Sequence, residues 1–199
     1  AEKGLFYPVD PSSMGSCFIG GNIAENSGGA RALKYGVTKD YVLNLEVVLP
    51  TGDIIWTGAN TLKNSTGYNL TQLMVGSEGT LGIVTKIVLK LLPQNKHNVL
   101  LLVPFYKAEQ ACEAVSAIFR AGIIPSALEF MERDAIDWTL KFVDGLNVEV
   151  KDNVQAHLLI EVDGNYPEIL MQEAEQILAV VEQFEIDEVL FADTEEQKN

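Results

Sequence analysis

The sequence is poor in cysteine, in basic residues and in long apolar runs. Its two cysteines, Cys17 and Cys112, form neither a disulfide framework nor a C-x-x-C metal spacing, so a reducing compartment is the simplest interpretation. No stretch reaches the roughly 18 apolar residues of a membrane-spanning helix, and the N-terminus has no apolar signal segment. We therefore expect a cytoplasmic protein without a transmembrane segment, peripheral to a membrane only through partners.

The shortage of basic residues is confined to the second half of the chain. The formal net charge is −14 at pH 7, yet residues 1–92 carry 7 basic and 7 acidic side chains, and residues 93–199 carry 7 and 21. This asymmetry predicts two units with different surfaces. It disfavours nucleic acid and anionic membranes as partners. The excess acidity is better explained by solubility than by a docking role.

Periodicity divides the chain into two α+β parts, residues 1–93 and 94–199. In the first, residues 41–49 and 54–57 are β-branched and predict a hairpin around the Pro50-Thr51-Gly52-Asp53 turn. A short helix at 70–75 and a strand at 82–92 follow. The second part predicts strands and helices in the order β-α-β-β-α-β, the split pattern of a ferredoxin-like sandwich. These elements are strands at 99–105, 126–131, 156–162 and 186–191, with main helices at 107–121 and 166–184 and a helical excursion at 135–142.

Two glycine-rich stretches carry the strongest chemical signal in the first part. Residues 15–29 place paired glycines before a predicted helical turn at 22–26, which is typical either of an anion-binding loop or of two tight turns. The spacing fits neither the Rossmann nor the P-loop motif, so the two interpretations stay open. In residues 76–84 a glycine-rich turn leads directly into a strand. This pattern suggests that the backbone lies close to a ligand or to another chain segment. There, Glu78 is a candidate acceptor for a ribose or for its own loop.

A third stretch, residues 62–70, is polar. Lys63 is a candidate for pairing with a carboxylate, and Thr66 and Tyr68 offer hydroxyl groups. The alternative is a polar loop in which Thr66 or Asn69 caps the following helix. Composition alone favours this alternative.

The order of these stretches resembles the FAD-linked oxidase family, which has the vanillyl-alcohol oxidase and p-cresol methylhydroxylase (PCMH-type) fold. The likeness runs over 11–29, 34–52 and 76–83, and is dense from about residue 7 to 93. It is closest to the branch of the glycolate oxidase large subunit, D-lactate dehydrogenase and D-2-hydroxyglutarate dehydrogenase. The resemblance implies that residues 1–93 are the second subdomain of a PCMH-type FAD-binding domain. Residues 94–199 resemble the start of the substrate-side cap domain, and the first flavin subdomain would precede Ala1.

The resemblance also implies a site. Non-covalent FAD is expected, because Cys17 stands at no recognisable linkage position, and Lys63 and Thr66 are expected to contact substrate. No metal ligand is expected, since the family's metal-binding histidines would fall beyond Asn199. His157 is expected to be a hydrogen-bonded structural imidazole. The implied cofactor-binding residues are Ser16, Gly20, Gly21, Asn26, Gly28, Gly29, Asp40, Glu78, Gly79, Gly82, Ile83 and Val84.

The activity implied for the intact protein is oxidation of a D-2-hydroxy acid, such as glycolate or D-lactate, to the 2-oxo acid. Hydride would pass to FAD and electrons onward to a quinone or an electron-carrier protein, with a homodimer among the expected assemblies. The chain by itself is expected to be inactive. Two alternatives stay open: a non-catalytic folded fragment or acidic protein-binding module, and a flavin reductase of cell-wall precursor synthesis. Residues 63–70 fit the hydroxy-acid branch better than the reductase.

Overall fold

The computed structural model describes residues 3–143 and 150–193, and the chain divides into two compact units, Ala1–Gln94 and Asn95–Asn199. Each unit combines helices with antiparallel sheet, as the α+β prediction requires. No helix among the described residues is long and apolar enough to cross a membrane.

The first unit is built on a three-stranded antiparallel sheet with the order β3-β2-β4. The unit also contains short helices and a 3₁₀ turn at Thr38–Asp40. A two-stranded β1-β5 ribbon pairs the beginning of the unit's chain segment with its end. The elements are β1 (Leu5–Phe6), α1 (Ile19–Glu25), α2 (Ala32–Tyr35), β2 (Val42–Val48), β3 (Ile54–Trp56), α3 (Leu70–Met74), β4 (Ile83–Leu89) and β5 (Leu92–Pro93).

The predicted hairpin is present between β2 and β3, with Val48 opposite Ile54. Gly52 takes a φ of 89°, which an L-residue rarely adopts, and its N–H donates to the carbonyl of Leu49 at 2.9 Å. The Pro-Thr-Gly-Asp sequence therefore closes the turn for the reason expected from its residue types.

Strand β4 departs from simple alternation. The register pairs Glu46 with Lys86 but Val47 with Val84, so Thr85 has no partner of its own and forms a β-bulge. The bulge shifts the phase, and Val84, Ile87 and Leu89 pack against the same core. Simple alternation along the predicted strand would place Val84 on the face opposite Ile87, and this expectation is wrong because a single extra residue reverses the pleat.

The core of the first unit joins the sheet to helices α1 and α3. Ile23 of α1 and Leu45 and Val47 of β2 are fully buried, and Met74 of α3 is nearly so. Burying side chains of this size is worth about 1.5–3 kcal/mol each. Helix α1 is thus fixed to the sheet through Ile23, which determines where its glycine-bearing first turn lies.

The second unit has the ferredoxin-like topology. Its sheet has the order β7-β8-β6-β9 with every neighbouring pair antiparallel. Helices α4 and α6 pack on a face formed by alternate residues, including Leu101, Phe105, Leu158 and Ile160, all essentially inaccessible to solvent. The elements are β6 (His97–Phe105), α4 (Ala108–Arg120), β7 (Ala127–Glu132), α5 (Arg133–Phe142), β8 (Ala156–Gly164), α6 (Pro167–Val181) and β9 (Leu190–Ala192).

The last strand begins later than the sequence predicted. It was expected at 186–191, but Ile186 makes only an isolated bridge to Phe105, and β9 begins at Leu190. Between them, the carboxylate of Asp187 accepts a hydrogen bond from Lys151 Nζ at 2.7 Å. The N–H of Asp187 donates to the carbonyl of Pro104 at 2.9 Å. The sequence shows an acidic side chain at Asp187 but not the distant lysine that binds it.

Candidate functional site

The two glycine-rich stretches lie side by side in the first unit. The N–H of Gly76 donates to the carbonyl of Ile23 at 2.9 Å, and the N–H of Glu78 donates to the carbonyl of Ala24 at 3.0 Å. The turn at 76–79 is therefore attached to the end of α1. Gly20 stands one helical turn before Ala24, about 6 Å along the axis at 1.5 Å per residue. Segments more than 50 positions apart in sequence thus form one surface.

Three glycines on this surface border open space. A Cβ built on Gly20, Gly21 or Gly79 meets no atom within 4 Å. Gly20 and Gly21 lie inside the first turn of α1, whereas the sequence had placed them in a loop before a helix at 22–26. Chain packing therefore gives no reason for glycine at these two positions. Glycine is suited to such a place when another group must approach the backbone closely.

Gly28, Gly29 and Gly82 differ from these three, because contacts within the chain account for the lack of a side chain at these positions. A Cβ on Gly29 would overlap the carbonyl of Asp10, and a Cβ on Gly82 would come within 2.6 Å of Val47. A Cβ on Gly28 would lie 3.2 Å from the side chain of Val37. Any contact that these glycines make with a cofactor would be made by their main-chain atoms.

Asn26 and Asp40 brace the loop between α1 and β2. Asn26 ends α1 in the left-handed conformation, with a φ of 52°, and its Oδ1 accepts the N–H of Lys39 at 2.9 Å. Asp40 Oδ2 accepts the N–H of Val37 at 2.8 Å. Asp40, which the family resemblance implies as a cofactor-binding residue, therefore also braces its own loop.

The hydroxyl of Thr38, which is fully buried, fixes the same loop and was missed by the sequence analysis. Its Oγ1 donates to the carbonyl of Ser27 at 2.8 Å and accepts from the Tyr7 hydroxyl at 3.3 Å. Burial raises the pKa of Tyr7, so the phenol stays a neutral hydrogen-bond donor. A lone threonine in a loop carries no sequence signal of this role.

Glu78 has an unusual backbone. It takes a φ of 51°, one of two non-glycine residues with positive φ among those described, and its side chain is exposed. No hydrogen bond from its carboxylate to its own loop is found within the described residues, and the turn is closed instead by Thr80, whose hydroxyl donates to the carbonyl of Ser77 at 2.6 Å. The interpretation that Glu78 pins its own loop is therefore not supported.

The remaining predicted cofactor residues flank this surface. Ile83 begins β4 with 69% of its side chain exposed, whereas the neighbouring Val84 packs into the core. Ser16 is exposed and its hydroxyl donates to the carbonyl of Ser13 at 3.2 Å. Phe18, directly before α1, is 85% exposed. Apolar side chains of this size at the surface are typical of an interaction site when they are grouped.

A second feature of the first unit is a cavity of about 170 Å³ beneath the third polar stretch. Thr66, Tyr68 and Asn69 line it, but Lys63 is not among its lining residues. Asn69 caps α3 by accepting the N–H of Gln72 at 3.0 Å, as the alternative interpretation predicted for either Thr66 or Asn69. The structure thus brings Thr66 to a cavity and leaves Lys63 exposed in the same loop.

Buried polar groups at the base of this cavity were also missed. Asn44 accepts the N–H of Gly58 at 2.7 Å and donates to Asn60 at 2.9 Å, while the hydroxyls of Thr57 and Thr71 lie 2.8 Å apart. Asn44 sits in the middle of β2, where the sequence showed only a polar interruption of an apolar strand. The interruption was the available signal, since a buried amide needs partners.

The described residues contain no group of three side chains suited to a metal ion. His97 lies exposed at the start of β6, and His157 is buried near the start of β8. The imidazole of His157 was expected to be hydrogen-bonded, but no such bond is found within the described residues. The expectation of a hydrogen-bonded imidazole is therefore wrong for the described residues.

Sequence comparison identifies the family. Residues 94–199 match the model of the C-terminal domain of FAD linked oxidases, and residues 1–58 match a model of an FAD binding domain. The chain belongs to the FAD-linked oxidase family. The resemblance seen in the glycine-rich stretches is confirmed, and FAD is the cofactor of this family.

Curated relatives point to the same branch. Glycolate oxidase subunit GlcD of Bacillus subtilis (strain 168) is 48% identical over 98% of this chain and 41% of its own length. D-lactate dehydrogenase of Anaerostipes hadrus is 45% identical over 98% of this chain and 42% of its own. D-2-hydroxyglutarate dehydrogenase of Xanthomonas citri pv. viticola is 44% identical over 70% of this chain. The chain spans about two fifths of the length of the first two relatives.

Solved structures support the fold alone. An alkyldihydroxyacetonephosphate synthase matches with a TM-score of 0.79 over 99% of this chain and 38% of that one, at 21% identity. At this level of identity the likeness concerns the chain's architecture, which agrees with the predicted PCMH-type fold.

Proposed function

We propose that this chain is part of a flavin-dependent dehydrogenase that oxidises a D-2-hydroxy acid to the corresponding 2-oxo acid. The relatives named glycolate oxidase, D-lactate dehydrogenase and D-2-hydroxyglutarate dehydrogenase share this chemistry. The observation that carries the proposal is the hydrogen-bonded contact of the 76–79 turn with α1, which unites the two glycine-rich stretches.

The first unit provides one wall for FAD in this proposal. The open backbone at Gly20, Gly21 and Gly79 admits close approach of the cofactor, and the exposed Ile83 offers it an apolar surface. The backbone at 28–29 and 82–84, with Ser16 and Asn26, completes the proposed contacts. Glu78 is proposed to accept a hydrogen bond from a cofactor hydroxyl, since its carboxylate is exposed and makes no bond to its own loop. The flavin, when bound, supplies the hydride acceptor.

The polar loop at 61–69 is proposed to hold the substrate. Lys63 would pair with the substrate carboxylate, and the hydroxyl of Thr66 would hydrogen-bond to it from the wall of the cavity. In the balanced reaction the substrate loses two electrons and two protons. One proton leaves with the electron pair as hydride from the α-carbon, and the other leaves the hydroxyl for a base outside the residues assigned here.

The electrons are proposed to pass on to a quinone or an electron-carrier protein, and the working assembly to be a homodimer. We also propose that the chain by itself does not turn over, because it supplies only part of the site.

Cofactor binding is tested directly with the chain. FAD is titrated with protein while flavin fluorescence anisotropy is followed, and FMN serves as the comparison. The proposal expects a saturable rise in anisotropy with FAD and a weaker one with FMN, which lacks the adenosine half. Absence of saturable binding of either flavin to the folded chain would count against the assigned wall.

The substrate assignment is tested in a longer protein of this family that contains this sequence. Replacement Thr66→Val removes a hydroxyl with little change in shape and is expected to raise KM about tenfold, the equivalent of about 1.4 kcal/mol. Thr51→Val is the control, because Thr51 lies in the exposed turn between β2 and β3, outside the proposed substrate loop. Equal KM values for the two variants would remove Thr66 from the substrate site.

A further inference from the structure

The second unit contains a cavity of about 270 Å³ that the flavin site does not use. It lies where Pro104 of β6 and His157 of β8 are paired, and Val154 and Leu190 form further apolar walls. Three charged side chains, Lys151, Asp187 and Glu188, also line it. The volume exceeds the ~150 Å³ of apolar protein cavities that admit benzene, so a small organic molecule has room here.

His157 is another polar group at this cavity. Only 4% of the residue is exposed, and within residues 3–143 and 150–193 its ring makes no hydrogen bond. No inaccessible side-chain nitrogen or oxygen in this part of the chain lacks a partner. The ring nitrogens therefore keep a small accessible surface, and His157 is one of the residues that line the cavity. A neutral imidazole has one donor and one acceptor to offer there.

Two of the charged groups that line the cavity, Lys151 and Asp187, already satisfy each other, and the third, Glu188, is exposed to solvent. Lys151 Nζ lies 2.7 Å from Asp187 Oδ1, and the same oxygen accepts the N–H of Glu188 at 2.9 Å. Arg133 donates to Asp137 at 2.8 Å and to the carbonyl of Lys151 at 2.9 Å. An anionic ligand would have to compete with Asp187 for Lys151, and a cationic ligand would meet the solvated carboxylate of Glu188. Burial, and then the charge of Arg133, lowers the pKa of His157 and keeps the ring neutral.

We propose that this cavity is a binding site for a small uncharged molecule with a compact apolar body and one amide or hydroxyl group. The apolar body packs against Pro104, Val154 and Leu190, and the amide or hydroxyl exchanges hydrogen bonds with the imidazole of His157. This proposal depends neither on FAD nor on the hydroxy-acid reaction. A result that contradicts it therefore leaves the proposed function unaffected, and the reverse also holds.

The test uses three probes of nearly the same shape and different charge: isobutyramide, isobutyrate and isobutylammonium. The chain is labelled with ¹⁵N, and the imidazole nitrogens are observed by NMR during each titration. The chain has two histidines, so His97 is an internal control. The expected result is a saturable shift of the His157 nitrogens with isobutyramide, none at His97, and affinities at least tenfold weaker for both charged probes.

Two matched variants locate the site. Leu190→Trp fills the cavity from its wall and is expected to abolish the shift, whereas Ile169→Trp, at a position similarly exposed on α6, is expected to preserve it. The proposal is overturned if isobutyramide gives no saturable shift, if a charged probe binds more tightly, or if the shift survives in Leu190→Trp. If Leu190→Trp does not fold, the titrations of the unsubstituted chain with the three probes still test the proposal.

Discussion

A methyl group added at Gly21 is expected to separate stability from cofactor binding. Gly21 has a helical backbone in α1 and open space at its Cβ position. Gly21→Ala is therefore expected to stabilise the first unit, by up to about 0.5–1 kcal/mol, the usual gain for alanine over glycine in a helix. The same methyl group stands where FAD is proposed to approach, so FAD affinity should fall at least tenfold, a loss of about 1.4 kcal/mol.

Gly29→Ala is expected to behave in the opposite way. Its Cβ would overlap the carbonyl of Asp10, so the backbone must shift, at a cost of about 1–3 kcal/mol typical of overpacking. Gly15→Ala is the control, because Gly15 borders open space but is not in the proposed site.

Stability is measured by urea unfolding. The fluorescence of Trp56 reports on the first unit once the other tryptophan, Trp138, is replaced by phenylalanine. FAD affinity is measured by anisotropy in the same background. The reasoning is refuted if Gly21→Ala weakens FAD no more than Gly15→Ala does, or if Gly29→Ala unfolds at the urea concentration of the parent chain.

Three further predictions concern loop bracing, pH and the second core. Asp40→Ala should lower the unfolding free energy by about 1 kcal/mol, because the hydrogen bond to the Val37 N–H is lost. Asp40→Asn should retain most of that free energy. Equal urea midpoints for Asp40→Ala and the parent chain would contradict the bracing role of Asp40. Because burial lowers the pKa of His157 from its ordinary 6.5, the unfolding free energy should be full above that pH and fall as pH drops through it, by at most about 1.4 kcal/mol per pH unit. Urea midpoints measured between about pH 7.5 and 5.5 should lose this slope in His157→Asn and keep it in His97→Asn. Ile160→Ala, at a fully buried position, should cost about 2–5 kcal/mol by calorimetry, and a cost under about 1 kcal/mol would show that the core is packed differently.

Much of the fold was predictable because it depends on local rules. The hairpin at β2-β3 follows from β-branched runs around a turn whose glycine supplies a positive φ. The order of elements in the second unit was enough to indicate its ferredoxin-like sheet, since few topologies connect that order of strands and helices. The phase of β4 was not predictable, because one unpaired residue, Thr85, reverses its pleat without changing composition.

The candidate site was predictable only in part. The glycine-rich stretches at 15–29 and 76–84 identified the family, and that recognition named FAD. Sequence did not distinguish glycines that border open space from those required by packing. Gly21 and Gly29 cannot be told apart in the sequence, but only at Gly29 would a Cβ overlap the backbone of another segment.

The sequence by itself determined which elements form, which family the chain belongs to and which cofactor the family uses, because these depend on residue types at short range. Tertiary structure alone decided which distant residues meet. It attached the turn at 76–79 to α1, buried Asn44 and Thr38 among specific partners, and left the imidazole of His157 facing a cavity. The physical reason is that hydrogen-bond partners and open space are properties of segments brought together by the packed core.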